Sequence, residues 1–190
     1  MKEAFALVAV IIAICGYIPY LRDAYKKRVT PHPYTWLVWS IVTGITFFGQ
    51  LVKGAGIGAL PTLASEIFSI TILLFSLRHG FKNIAKIDHF FLIVSLLGLI
   101  PWILTKDPTI SVIIAVSIDL VAFMPTIRKT WKKPESETPI LYSANVLRHI
   151  LTIFSLQSYN IATMLHSVAM ILTNSIMTGI ILFKKPIKQK

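Results

Sequence analysis

Charge is the scarce commodity in this chain. Only 14% of its 190 residues are charged, where a soluble domain carries about 25%. Acid is scarcer still, with 8 Asp and Glu against 19 Lys and Arg. A single cysteine, Cys15, excludes an intrachain disulfide and any Cys-rich metal site. There is no glycine-rich phosphate loop, no nucleophile elbow and no HExxH pair of metal-binding histidines. These absences leave a soluble catalytic reading almost without support. No catalytic residue, cofactor or resident metal is expected, and the chain reads as a non-enzyme. What is abundant is apolar: 55% of the residues are hydrophobic and mean hydropathy is +0.71. On a soluble chain a net charge of +11 points to nucleic acid. Here membrane topology is the first explanation, and no nucleic-acid partner is expected.

A spanning helix needs about 20 mostly apolar residues. Seven such stretches can be read: Ala4–Leu21, Thr35–Val52, Gly58–Leu77, Ile87–Leu104, Thr109–Ile127, Pro139–Leu156 and Ile161–Phe183. Seven helices of this length occupy roughly 140 positions, so the loops are short and no soluble domain fits. The first span is expected to be retained. Its leading residues hold one Lys and one Glu, so they are not basic, and no A-x-A-like cleavage site follows.

Lys and Arg resist translocation, so their placement predicts orientation. Arg22, Lys26, Lys27 and Arg28 follow span one. Arg78, Lys82 and Lys86 follow span three. Arg128, Lys129, Lys132 and Lys133 follow span five, and Lys184, Lys185, Lys188 and Lys190 form the tail. Alternate loops hold only Lys2, Lys53 and Lys106, and Arg148 lies inside a span. The alternation predicts an all-α integral membrane protein of seven spans, N-terminus out and C-terminus in. The short chain suits a prokaryotic plasma membrane.

The chain also repeats itself. A shift of 106 residues lays Pro19 on Pro125, Arg22 on Arg128, Lys26-Lys27 on Lys132-Lys133, Pro33 on Pro139 and Trp36 on Tyr142. Further on the register slips by two, and Ser65-Glu66 falls on Thr173-Asn174. The unit is three helices. An odd unit is inverted on repetition unless one extra span restores its direction. The expected architecture is therefore 3+1+3: residues 1–80 the first repeat, 81–106 a connector with the fourth helix, and 107–190 the second repeat. Carriers built from parallel repeats bind substrate at the repeat interface near the midplane.

With these features the chain resembles the PQ-loop superfamily, which includes the SWEET sugar transporters. The resemblance spans nearly the whole chain. It rests on the 3+1+3 layout, on a proline near the inner end of the first helix of each repeat, and on the basic loop that ends in a second proline. The family's Pro-Gln pair reads Pro19-Tyr20 and Pro125-Thr126 here. The resemblance implies transport of a small solute. SWEET-like pockets place an aromatic on the second helix and an Asn on the third helix of a repeat. By repeat position these become Trp39 and Asn174, with Asn145 and Glu66 in the opposite halves.

Polar residues in hydrocarbon are costly and are functional candidates by default. Glu66, Asp119 and Arg148 are the ionic residues well inside spans, with His149 beside Arg148. Asp119 and Arg148 lie at similar depth on consecutive helices, about 14 Å from the inner face at 1.5 Å per residue. They read either as a structural ion pair or as a gate or proton-linked site, with Asp119 or Glu66 approaching Arg148. Glu66 has no assigned partner, and an isolated carboxyl in a low-dielectric site favours its neutral form. It reads as a proton-coupling group or as a neutral hydrogen-bonded residue. In span six Tyr142, Asn145, His149 and Thr152 share one face, as Trp36, Trp39, Thr43 and Thr46 do in span two. Trp36 and Trp102 sit near span ends, where aromatics anchor at the interface. His166 reads as a packing residue. Pro19 and Pro125 break helical hydrogen bonds and serve as hinges for alternating access or merely as kinks.

The leading expectation is a small carrier or facilitator of a polar solute (a sugar, amino acid or vitamin-like molecule), bound by Trp39, Asn145, His149 and Asn174. The alternative is a receptor or ligand-binding protein on the same fold, with Arg148 holding an anionic group. A retinal photoreceptor needs a lysine buried in the last helix, and Ile161–Phe183 contains none.

Overall fold

The computed structural model describes residues 1–79 and 84–184, with side chains at all of these but 79 and 98–103. Lys82, Lys185, Lys188 and Lys190 of the basic segments lie outside the described residues, as does the side chain of Trp102. The chain folds into α1 (Lys2–Tyr25), α2 (Pro33–Val52), α3 (Leu60–His79), α4 (Lys86–Leu104), α5 (Pro108–Lys132), α6 (Pro139–Ser155) and α7 (Ile161–Lys184). No strand occurs among the described residues.

Among the described residues five stretches, Lys2–Tyr25, Pro33–Val52, Gly56–Arg78, Pro108–Lys132 and Ile161–Lys184, are long and apolar enough to cross a membrane. That is the composition of an integral membrane protein. The other two helices, α4 and α6, have 19 and 17 residues. At 1.5 Å per residue α6 is about 26 Å long, and Asn145, Arg148 and His149 in its middle reduce its apolarity. The helices also run further than apolar periodicity suggests. α1 continues through Arg22 to Tyr25 and α5 through Arg128 to Lys132, because charged residues stay helical where the chain leaves hydrocarbon.

Local chemistry sets the helix starts. Pro33, Pro108 and Pro139 each occupy the first turn, where a missing N–H costs nothing and φ is already helical. The Asp107 carboxylate caps α5, accepting from the backbone N–H of Thr109 at 2.6 Å and of Ile110 at 3.2 Å.

Six helices close into a ring. α3 packs against both α1 and α2, α2 against α5, α7 against both α5 and α6, and α6 against α1. α1 and α2 scarcely meet, nor do α5 and α6. α4 lies outside this ring, mainly against α5. Small residues allow the closest approaches. A Cβ on Gly16 would stand 2.8 Å from the Ala144 Cβ across α1 and α6, and one on Gly49 would stand 2.6 Å from Val112 Cγ2 across α2 and α5. Such small-residue contacts bring helix backbones together where no hydrophobic force drives association.

The polarity of the protein is inverted relative to a soluble fold. Ile11, Ile18, Leu74, Leu172 and Leu182 are exposed, while Thr46, Gln50, Ser69, Thr152 and Ser167 are buried. Several buried hydroxyls find acceptors on their own helix: Thr46 donates to the Val42 carbonyl at 2.8 Å and Ser65 to that of Pro61 at 3.0 Å. In hydrocarbon every polar group must be satisfied within the protein.

A polar cavity ringed by six helices

The ring surrounds a cavity of about 30 Å³ lined by many polar side chains, room for one or two water molecules in this conformation. Every ring helix lines it. α1 supplies Tyr17, α2 Trp39 and Thr43, and α3 Ser65 and Ser69. α5 supplies Asp119, α6 Asn145, Arg148 and His149, and α7 His166, Met170 and Asn174. Among the described residues α4 supplies none of them.

Trp39, Asn145 and His149, which the helical stripes single out, therefore come together with Asn174, which the resemblance implies. Asn145 donates from Nδ2 to Asn174 Oδ1 at 3.4 Å, joining α6 to α7. Asp119 and Arg148 both line the cavity, but they do not pair as expected. Asp119 Oδ2 lies 3.6 Å from His166 Nε2. Among the described residues no carboxylate lies within 4.0 Å of Arg148. The reason is topological. Similar depth on consecutive helices suggests contact, because sequential elements are usually neighbours. Here α7 stands between α5 and α6 and presents His166 to Asp119.

Arg148 is instead held by neutral groups. Nε donates to Asn145 Oδ1 at 3.1 Å and Nη1 to the Pro61 carbonyl at 3.3 Å. Nη2 lies 2.5 Å from His149 Nε2. A guanidinium has no acceptor, so Nε2 of His149 accepts and its proton sits on Nδ1. Nδ1 then donates to Ser167 Oγ at 3.3 Å.

Glu66 is not among the cavity-lining residues. It turns towards α2, where a Cβ on Gly44 would stand 3.7 Å from its Oε1. Its Oε2 is buried and has no hydrogen-bond partner among the described residues. Ser65 and Ser69, one turn apart on one helix face, take the places that Met170 and Asn174 hold on α7. The register that aligned Glu66 with Asn174 is therefore not the one that lines the cavity. Tyr17, Ser65, Ser69 and Met170 escaped sequence reading because small hydroxyls and apolar residues carry no marker inside an apolar run. The i, i+4 serine pair was the one available signal.

Packed side chains flank the cavity along the ring axis. Towards the basic loops an aromatic layer runs across the ring. Ring centroids are 5.7 Å apart for Tyr20 and Trp36, 5.0 Å for Trp36 and Trp39, and 4.9 Å for Trp39 and Phe123. Beyond it Lys129 pairs with Glu137, which also accepts from the Tyr142 hydroxyl at 3.1 Å. Lys129 donates a second bond to the Thr30 carbonyl at 2.5 Å, tying the two basic loops together. At the opposite end Ala55, Ala59 and Leu156 pack as a small apolar cluster.

Two further features flank the basic end. Arg128 grips Asp88 at the start of α4 with both Nε (2.9 Å) and Nη2 (2.5 Å), the bidentate geometry suited to a carboxylate. His32 Nε2 lies 3.2 Å from the same carboxylate. Burial pushes the pKa of His32 down to about 4, although the bond to Asp88 favours the charged form. The geometry agrees: neutral His32 donates from Nε2 and leaves Nδ1 as a bare lone pair, whereas the charged ring would bury an N–H without an acceptor. Pro19 and Pro125 lie inside α1 and α5, each with further helix beyond it. Beside Pro125, Thr35 of α2 donates to the Ala122 carbonyl at 2.8 Å and accepts from Thr126 at 3.0 Å. Neighbouring hydroxyls of this kind support helix breaks in membranes.

The described residues contain no group of three His, Cys, Asp or Glu placed to hold a metal ion. No family model matches the chain, and neither curated proteins nor solved structures give a match.

Proposed function

We propose that the protein is a small integral-membrane carrier or facilitator. It moves a small polar solute by alternating access through the cavity between two three-helix repeats, residues 1–80 and 107–190, joined by the connector 81–106. The observation that carries this reading is the cavity itself: rich in polar side chains and lined by all six ring helices but, among the described residues, not by α4. A binding protein needs one open mouth. A carrier needs a site that both halves embrace, closed towards each side in turn.

The packing supports the repeat. α1 meets α6 as α5 meets α2, and α3 lies between α1 and α2 as α7 lies between α5 and α6. Exchanging the halves leaves these contacts unchanged, the relation expected of parallel repeats about an axis along the membrane normal. The basic loops give the orientation, with the N-terminus outside and the Lys129–Glu137 closure facing the cytoplasm. Opening there requires α1 and α5 to move against α6 and α2, and Pro19 and Pro125 are the places where those helices bend most readily. Of the lining residues, Trp39, Asn145, His149 and Asn174 bind the solute.

The test is counterflow in liposomes containing the purified protein, with labelled sugars, amino acids, vitamins and short organic acids. Saturable exchange of one class above protein-free liposomes is the expected result. Binding of a solute with no exchange overturns the carrier reading in favour of a receptor.

A further inference from the structure

The cavity presents donors that lack acceptors. Arg148 is 3% exposed and contributes five N–H groups. Three are taken, by Asn145 Oδ1, the Pro61 carbonyl and His149 Nε2, which leaves two. Trp39, on the opposite half, has a buried indole Nε1–H with no hydrogen-bond partner among the described residues. Indole nitrogen and guanidinium can only donate. An orphan donor in a dry site forfeits its hydration, so two such groups on one cavity mark a place for an acceptor.

Charge points the same way. Among the described residues Asp119 is the one acid lining the cavity, and it is engaged at 3.6 Å by His166. The Arg148 cation therefore has only neutral groups in hydrogen-bond contact. A buried cation is stable when an anion completes it, and a planar guanidinium matches a carboxylate in shape and in charge.

We infer that the solute is a small carboxylate anion, that Arg148 binds its carboxylate group, and that the Trp39 indole N–H bonds one of its oxygens. The inference rests on the carrier reading for what happens to the solute, but not for the site. Besides facing the solute, Asn145 and His149 also position the guanidinium, because each fixes it by a direct hydrogen bond. Sugars and other neutral polyols would leave the cation uncompensated and bind poorly.

The experiment measures thermal unfolding of the detergent-purified protein with acetate, lactate, pyruvate and succinate. Acetamide, lactamide, glucose and inorganic phosphate are tested beside them, at constant ionic strength and pH. At least one carboxylate raises the unfolding temperature by roughly 2–4 °C or more, and its amide does not. Arg148→Lys, which keeps the charge and removes the planar fork, weakens that carboxylate roughly 10- to 100-fold. Trp39→Phe keeps the ring and weakens it by less than Arg148→Lys. Should Arg148→Lys fail to fold, Trp39→Phe and the acid–amide pairs still decide the matter. Equal shifts from acid and amide overturn the inference, as do a shift from phosphate or glucose alone and no shift from any carboxylate. Carboxylate binding without counterflow overturns the carrier reading and leaves the anion site standing. Counterflow of a neutral solute without carboxylate binding does the reverse.

Discussion

The first half of the ring, α1–α3, lines the cavity with Tyr17, Trp39, Thr43, Ser65 and Ser69, none of them ionisable near neutral pH. The second half, α5–α7, brings Asp119, Arg148, His149 and His166 to the same space. The difference extends to the basic loops. In the second, Lys129 and Glu137 pair with side chains only 3% and 1% exposed. In the first, Asp23 pairs with Arg28, whose side chain is 63% exposed. Two halves packed by one scheme have thus divided their labour. One supplies a mostly neutral wall, the other the charge, so a shared packing scheme need not carry a shared chemistry.

The sharpest way to break this contrast is at the loops. Lys129→Met leaves Glu137 buried without its cation and should cost about 3–5 kcal/mol of stability. Arg28→Met should cost less than about 1 kcal/mol, as exposed pairs do. Equal losses in detergent unfolding would contradict the assignment of the buried closure to the second half.

The basic loop of the first half holds a buried titratable group, His32. Its pKa is about 4 in the folded protein against about 6.5 in an unfolded chain. Between those values the unfolded state binds the extra proton, so stability is complete above about pH 6.5 and falls as the pH drops towards 4. The loss approaches about 3 kcal/mol. His32→Gln should flatten this part of the pH profile. A profile of the same steepness in that variant assigns the acid sensitivity elsewhere.

At the cavity, Arg148→Gln removes the charge of the second half and should lower solute affinity roughly 10- to 100-fold. The smallest effect belongs to Glu66→Gln. Its carboxyl lies outside the cavity, so uptake should stay within about twofold of wild type. A loss at Glu66 as large as at Arg148 would place the ionisable chemistry in both halves.

Much of this arrangement is legible from residue order. Apolar length gives the five spanning-type helices. The helical period gathers Trp39 and Thr43 on one helix and Asn145 and His149 on another, and these do meet at the cavity. What the order of residues does not carry is azimuth. Asp119 and Arg148 have the expected depth, but which helix stands between them follows from the packing of small faces such as that at Gly16. The third helix of each half is the hardest to read, since a one-residue choice exchanges Ser65 for Glu66 and turns the side chain by about 100°. Nothing in an apolar run with scattered serines favours one over the other until α2 is in place.

The central claim is that solute passes through the cavity between the halves. Plugging it from either side tests this directly. Thr43→Trp does so from the first half and Asn145→Trp from the second, both read as saturable counterflow by protein of wild-type fold and yield. The account predicts that each plug abolishes exchange, because a space of about 30 Å³ lined by both halves has no room beside an added indole. Exchange undiminished in both plugged proteins would contradict it.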